Sequence, residues 1–322
     1  MAQNIALRIH GGKHKYRFVC HESSHLLLHE QEAYQHLMHM DPIVISTRQS
    51  NDLFHSRPME IKDVASALFE QDVNTVGTLL LELPHRELGG TCTPWEDILQ
   101  MQDYCHSHGM KFHCDGARIF EATAGYDNKS LKELAEPFDS IYISFYKGLG
   151  GLSGAMLLGT SEFCNDVRVW LRRSGGNLYT LLPYAVSGWS GYRTNWVSAK
   201  IKFAEKQQKL ARIIQLLSSN EKIHSCVSFH PPVPQVNMIH GFLCYSRQDC
   251  MNALDSVEKV HGIRVLSRIR EVEESEPAYK NGFRCKFELS IGNANGAIDD
   301  DVYLKGWDLF TSALVARNSK GL

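Results

Sequence analysis

Three things are scarce in this chain: long apolar runs, paired cysteines and an excess of either charge. The longest apolar stretches, such as Val76 to Leu83, fall far short of the ~20 residues that a membrane span needs, so no membrane partner is expected. Lys and Arg total 34 against 36 Asp and Glu, a formal charge of −2. A near-neutral surface exerts no long-range pull on a polyanion, which argues against nucleic acid as a partner. The nine cysteines are odd in number, widely spaced and never arranged C-x-x-C. That argues against a disulfide framework and fits a reducing cytoplasm. The first residues carry no signal-peptide pattern, and no internal repeat or low-complexity segment is present. What remains is an ordinary globular composition, 43% hydrophobic and 22% charged over 322 residues. That length suits two domains or one large α/β unit.

Met1 to His10 reads as a helix, with Ile5, Ala6 and Ile9 at helical spacing. Phe18-Val19-Cys20 reads as a strand, and so does the apolar run Val76 to Leu83, which is buried on both faces if continuous. Thr93-Pro94-Trp95-Glu96 predicts a helix start with Thr93 as N-cap and Pro94 at the first helical position. The helix carries Ile98, Met101, Tyr104 and Cys105 on one face and stops at Gly109. Met110 to Cys114 is a short strand ending at Asp115. Ser130 and Glu133 form a capping box, Ser140 to Phe145 is a strand running into Lys147, and Ala155 to Leu158 is a further strand. This alternation predicts right-handed βαβ units: a three-layer α/β domain with a mostly parallel sheet over residues 1–195. From 196 to 322 the texture changes to a smaller α+β domain. It has helices over Val197 to Ser218, Cys250 to Val260 and Asp301 to Val315, and strands over Met238 to Tyr245 and Phe283 to Ile291.

Asp115 and Lys147 follow successive strands of this pattern, and ligands of open α/β sheets bind at the carboxyl ends of strands. An Asp and a Lys in one crevice suit pyridoxal phosphate. That cofactor needs a Lys for a Schiff base and a carboxylate to keep its ring nitrogen protonated. Taken alone, such a pair is more often a loop cap and a surface lysine. The flanking residues decide otherwise. They are Glu82-Leu83-Pro84-His85-Arg86-Glu87-Leu88-Gly89-Gly90, His108-Gly109, Asp115-Gly116-Ala117-Arg118, and Ser144 to Gly151. Upstream, Ser24-His25-Leu26-Leu27-Leu28-His29-Glu30 joins them.

This ordered set resembles the L-threonine aldolase branch of the β-eliminating lyases, enzymes of fold type I that use pyridoxal 5′-phosphate. The resemblance implies a lyase that cleaves a β-hydroxy-α-amino acid, threonine or allo-threonine, to glycine and an aldehyde; β-elimination is the alternative within the family. It implies Lys147 as the Schiff-base lysine, Asp115 on the pyridine nitrogen and His25 stacked on the ring. Ser144 would also touch the cofactor. Arg118 would meet the phenolic oxygen or the substrate carboxylate. His85 would be a base near the β-hydroxyl, directly or through a water. A carboxylate-binding cation is expected in the second domain, either Arg284 or Lys286. The site is expected at a homodimer or homotetramer interface. Family members carry a Ser-Gly-Thr phosphate loop before the segment matching Met1 to Leu7. This chain reads as starting just after it, and Leu178-Tyr179 stands near a family Arg. Weak phosphate binding is therefore expected, unless Arg172 or Arg173 supplies the charge.

Two other readings remain open. His21-Glu22-Ser23-Ser24-His25, with His29 beyond, matches the H-E-x-x-H pattern of zinc hydrolases, but Ser23-Ser24 is poor helix material and a strand-to-loop exit is expected there. No metal is expected. A non-catalytic family member serving as a binding or structural subunit would keep the fold without the reaction.

Overall fold

Six strands build the first sheet: β1 (Arg17–His21), β2 (Asp41–Ile45), β3 (Val76–Glu82), β4 (Lys111–Gly116), β5 (Ser140–Ser144) and β6 (Ala155–Gly159). They lie in the order β2-β1-β3-β4-β5-β6. The first five are parallel and β6 runs antiparallel to β5. This computed structural model describes residues 1–127, 129–195 and 199–318. The first unit comprises Met1–Thr47, Arg57–Glu87 and Thr91–Phe203; the second comprises Arg48–Ser56, Leu88–Gly90 and Ala204–Leu322.

Burial explains the strand order. Every residue of β3 is buried, as expected for an apolar run covered on both faces. Leu79 and Leu81 share one core with Phe112 and Cys114 of β4 and with Ile98, Met101 and Cys105 of the helix Trp95–Ser107. Leu80 packs on the opposite face with Ile5 and Leu7 of the helix Ala2–Gly11 and with Phe18 and Cys20 of β1. Helix, sheet and helix therefore form three layers, and the sheet is mostly parallel as expected. Pro42 is tolerated in β2 because that strand lies at the edge of the sheet, where a missing N–H costs no ladder bond.

Two helix starts show how local chemistry sets boundaries. Ser130 and Glu133 make the expected capping box: Ser130 Oγ accepts the Glu133 N–H at 3.2 Å, and the Ser130 N–H reaches Glu133 Oε2 at 2.7 Å. The start near Thr93 differs by one residue. Pro94, with φ −52° and ψ 141°, is itself the N-cap, and Trp95 is the first helical residue. The buried Thr93 carbonyl accepts the Tyr126 hydroxyl at 2.6 Å, which keeps Thr93 in the preceding loop. Gly109 ends this helix region at φ +61°, a left-handed conformation that favours glycine.

The second unit holds a four-stranded antiparallel sheet of β7 (Val227–His230), β8 (Met238–Leu243), β9 (Arg270–Glu271) and β10 (Cys285–Ser290), in the order β7-β8-β10-β9. The helices Ala199–Ser219, Arg247–His261 and Asp300–Asn318 accompany it. Trp307 and Phe310 are fully buried there beside Phe229, Phe287, Leu210 and Leu254. The three helices and two of the strands were expected from sequence. Residues 196–198, part of the expected helix, lie outside the described residues. Among the described residues no helix is long and apolar enough to cross a membrane.

One polar chain crosses the first core. His113 Nε2 donates to Gln3 Oε1 at 2.7 Å, so its Nδ1 accepts from Ser140 Oγ at 2.6 Å. Ser140 Oγ in turn accepts from His10 Nε2 at 2.6 Å. Burial lowers the His10 pKa to about 4 and that of His113 to about 3. The unfolded chain binds protons at these positions near pH ~6.5 while the folded chain does not, so stability is lost as pH falls from there towards ~4. Urea midpoints measured across that window are expected to decline. His10→Phe, which keeps an aromatic ring against Phe163, is expected to flatten the decline, and an unchanged slope would refute this assignment.

Candidate active site

The chain leaves β1 towards β2 on one side and returns to β3 on the other, so the sheet changes direction of winding at the β1/β3 pair. At such a point the carboxyl ends of the strands open a crevice. His21 ends β1, Glu82 ends β3, Asp115 lies near the end of β4 and Ser144 ends β5. The segments that follow carry His25, His85, Arg118 and Lys147. Parallel registry thus gathers residues distant in sequence around one sheet edge.

Asp115 sits opposite Glu82 on one neighbouring strand and Tyr142 on the other. Both carboxylates are buried, Asp115 at 5% and Glu82 at 8% exposure. Asp115 Oδ1 accepts the Ala117 N–H at 3.1 Å. Its pKa is pushed up to about 7, first by burial and then by the Glu82 charge. The Ala117 N–H, Lys147 and Arg118 pull the other way. Lys147 lies in the turn after β5 and is half-buried, with its amine 5.6 Å from the Tyr146 ring centre. Burial, then Arg118, lowers its pKa, against Asp115, Glu82 and Glu121. A side chain at Gly148 would start 2.5 Å from Glu121 Oε2, so any larger residue after Lys147 would push the Glu121 carboxylate aside.

His25 opens the helix His25–His29, and its N–H bonds Glu82 Oε2 at 3.2 Å. Its pKa is lowered, chiefly by burial. His85 is 3% exposed; its Nε2 contacts Ser23 Oγ at 3.0 Å and lies 3.9 Å from Glu82 Oε2. Arg118 is half-buried at the N-cap of Ile119–Ala122. Ser144 is buried, and its hydroxyl lies beside the Tyr142 side chain.

Sequence reasoning gave Glu82 no role. Its two oxygens accept the N–H groups of His25 at 3.2 Å and Arg86 at 3.0 Å, which ties the ends of β1 and β3 together. Its sequence signals were its place at the head of the Glu82 to Gly90 motif and at the end of an apolar run. In the second unit Lys286 is paired with Glu276 at 2.6 Å, while Arg284 donates to the Tyr279 and Phe283 carbonyls and lies over the Tyr279 ring. Arg172 and Arg173 are exposed in the last turn of the helix Ser161–Arg173.

The H-E-S-S-H segment is not one helix. His21 ends β1, and only at His25 does a helical turn begin. Both His21 ring nitrogens are engaged, Nδ1 by Ser23 and Nε2 by Thr47 and the Arg57 carbonyl. Among the described residues no group of three or more His, Cys, Asp or Glu is placed to hold a metal.

Residues 1–228 match the beta-eliminating lyase family. The chain belongs to that family. A structure from Exiguobacterium sp. 255-15, assigned as an aromatic amino acid beta-eliminating lyase/threonine aldolase, superimposes with a TM-score of 0.81 at 30% identity, covering 97% of this chain and 80% of that one. One from Listeria monocytogenes, assigned as an L-allo-threonine aldolase, gives a TM-score of 0.79 at 32% identity, covering 97% and 78%. The low specificity L-threonine aldolase of Saccharomyces cerevisiae is 28% identical over 180 residues, 55% of this chain and 44% of its own length. The chain thus spans less than half the length of that curated relative.

The buried carboxyl of this family member makes a clear expectation. The folded chain holds the Asp115 proton up to about pH 7, whereas an unfolded Asp releases it near pH ~3.9. The folded state binds more protons in between, so this group's contribution to stability falls as pH rises through that window. Asp115→Asn is expected to raise the urea midpoint near pH ~8 and to change it little near pH ~4. A lower midpoint at the higher pH would mean that the fold stabilises the carboxylate anion.

Proposed function

We propose that this chain is a pyridoxal-phosphate-dependent lyase of threonine-aldolase type, acting on a β-hydroxy-α-amino acid. The observation that supports the proposal most is Asp115 near the carboxyl end of β4 beside Lys147 just past the end of the adjacent parallel strand β5, with His25 and His85 following β1 and β3. These residues fit the cofactor on their chemistry. Asp115 is a buried carboxyl opposite a second carboxylate, Glu82, and their combined negative charge suits a ring N–H as partner. Lys147 is a half-buried amine with a lowered pKa, so more of it is neutral and nucleophilic than for a solvated lysine. The buried Ser144 hydroxyl at the same strand end offers one more polar contact.

When bound, pyridoxal phosphate supplies an electron sink for the bond that breaks at the substrate α-carbon. The rest falls to the protein. Lys147 would hold the cofactor, Asp115 would pair with its ring nitrogen and keep it protonated, and His25 would stack on its ring. Arg118 meets the phenolic oxygen or the substrate carboxylate, for which a guanidinium is geometrically suited. His85 takes the β-hydroxyl proton, and the aldehyde departs as the carbon–carbon bond opens. Water exclusion by the buried strand ends strengthens each of these contacts. The exposed apolar side chains Leu178, Leu182, Val186 and Trp189 of the first unit support a homo-oligomer as the working form.

Adding pyridoxal phosphate, reducing with borohydride and mapping peptides is expected to label Lys147; Lys147→Ala is expected to lose both the label and the visible absorbance change. Label on another lysine would overturn the assignment. His85→Asn is expected to keep the label and slow aldehyde release by roughly 10²–10⁴-fold, the usual contribution of a general base. Unchanged turnover would remove His85 from the reaction.

A further inference from the structure

The H-E-S-S-H segment has a use that no zinc reading supplies. His21 Nε2 faces the Arg57 carbonyl at 3.1 Å, an acceptor only, and Thr47 Oγ1 at 2.9 Å. The Thr47 hydroxyl spends its own proton on that same carbonyl. His21 Nε2 therefore carries the hydrogen, and a neutral His21 has its lone pair on Nδ1. The Ser23 N–H confirms this from the other side, since it donates to His21 Nδ1 at 3.1 Å. Ser23 Oγ also lies 2.8 Å from that nitrogen, which carries no hydrogen, so the hydroxyl can share the same lone pair as a donor. The Ser23 oxygen is then left as an acceptor towards His85 Nε2 at 3.0 Å. A second acceptor, the Ser23 carbonyl, lies 3.3 Å from the same nitrogen. Because a carbonyl can only accept, this contact places the hydrogen on His85 Nε2.

We propose that His21 and Ser23 are positioning residues that lock His85 in its Nε2–H form and so leave the Nδ1 lone pair as the base. The inference rests on the reading of His85 as the group that acts on the β-hydroxyl, and it names what prepares that group. A histidine free to exchange tautomers would present the wrong nitrogen part of the time. Here the preparation comes from β1, the strand next to the one that leads to His85. The lock holds across the working pH range because His21 is 1% exposed and its pKa is lowered to about 3, mainly by burial and then by His85.

The test uses ¹⁵N-histidine NMR on the full chain without cofactor, with His21→Asn and His85→Asn used to assign the ring signals. Both rings are expected in the Nε2–H form at neutral pH. Ser23→Ala is expected to give a mixture of His85 tautomers and, in the cofactor-loaded protein, a kcat for threonine lower by about tenfold with KM unchanged. Ser23→Thr, which keeps the hydroxyl, is expected to restore both. An Nδ1–H signal for His85 in the unaltered chain, or a Ser23→Ala protein with the His85 tautomer unchanged, would overturn the proposal. A chain that shows the lock yet releases no aldehyde would support the lock and sink only the aldolase reading.

Discussion

Two carboxylates buried side by side at the end of a parallel sheet are the constraint on which the site depends. Glu82 and Asp115 are register partners on β3 and β4, each under a tenth exposed. Buried charge of one sign must be compensated. The chain meets that demand with two backbone N–H groups on Glu82, one on Asp115, and the Lys147 and Arg118 charges nearby. The compensation draws the segments after β1, β3, β4 and β5 into one place. Asp115 still holds its proton more firmly than a free carboxyl, so the arrangement is poised for a cationic partner rather than optimised for stability.

Histidine does two kinds of work beneath and beside this pair. The Gln3–His113–Ser140–His10 chain joins the first helix to the sheet, and its hydrogens also run in one direction. The His21–Ser23–His85 chain does the same at the carboxyl ends. In both, a serine between two imidazoles passes the hydrogen-bond direction along. The 16 histidines that raised the question of a metal are in part spent on such internal networks.

Much of the fold was legible because particular residues carry local chemistry. The unbroken burial of β3, the Ser130/Glu133 cap and the glycine at 109 each dictate structure without distant partners. Pro42 hid β2, since only an edge position excuses it, and that position is set by tertiary pairing. β7 is four residues long, too short for a periodicity to show. Thr93 was displaced from its cap by a bond to Tyr126, 33 residues away. In the site, Asp115, Lys147, His25 and His85 stood out through their flanking motifs. Glu82 and Ser23 lay inside singled-out motifs yet carried no role, because their roles exist only when β1 and β3 lie side by side: Ser23 and His85 are 62 residues apart in sequence.

The reaction proposed for these strand ends is cleavage of the carbon–carbon bond of a β-hydroxy-α-amino acid. The most direct measurement is product analysis of ¹³C-threonine incubated with the cofactor-loaded chain. Glycine and acetaldehyde are expected in equal amounts. Ammonia and 2-oxobutanoate would instead show departure of the β-hydroxyl and contradict that reaction, as would threonine left intact by a protein carrying cofactor on Lys147.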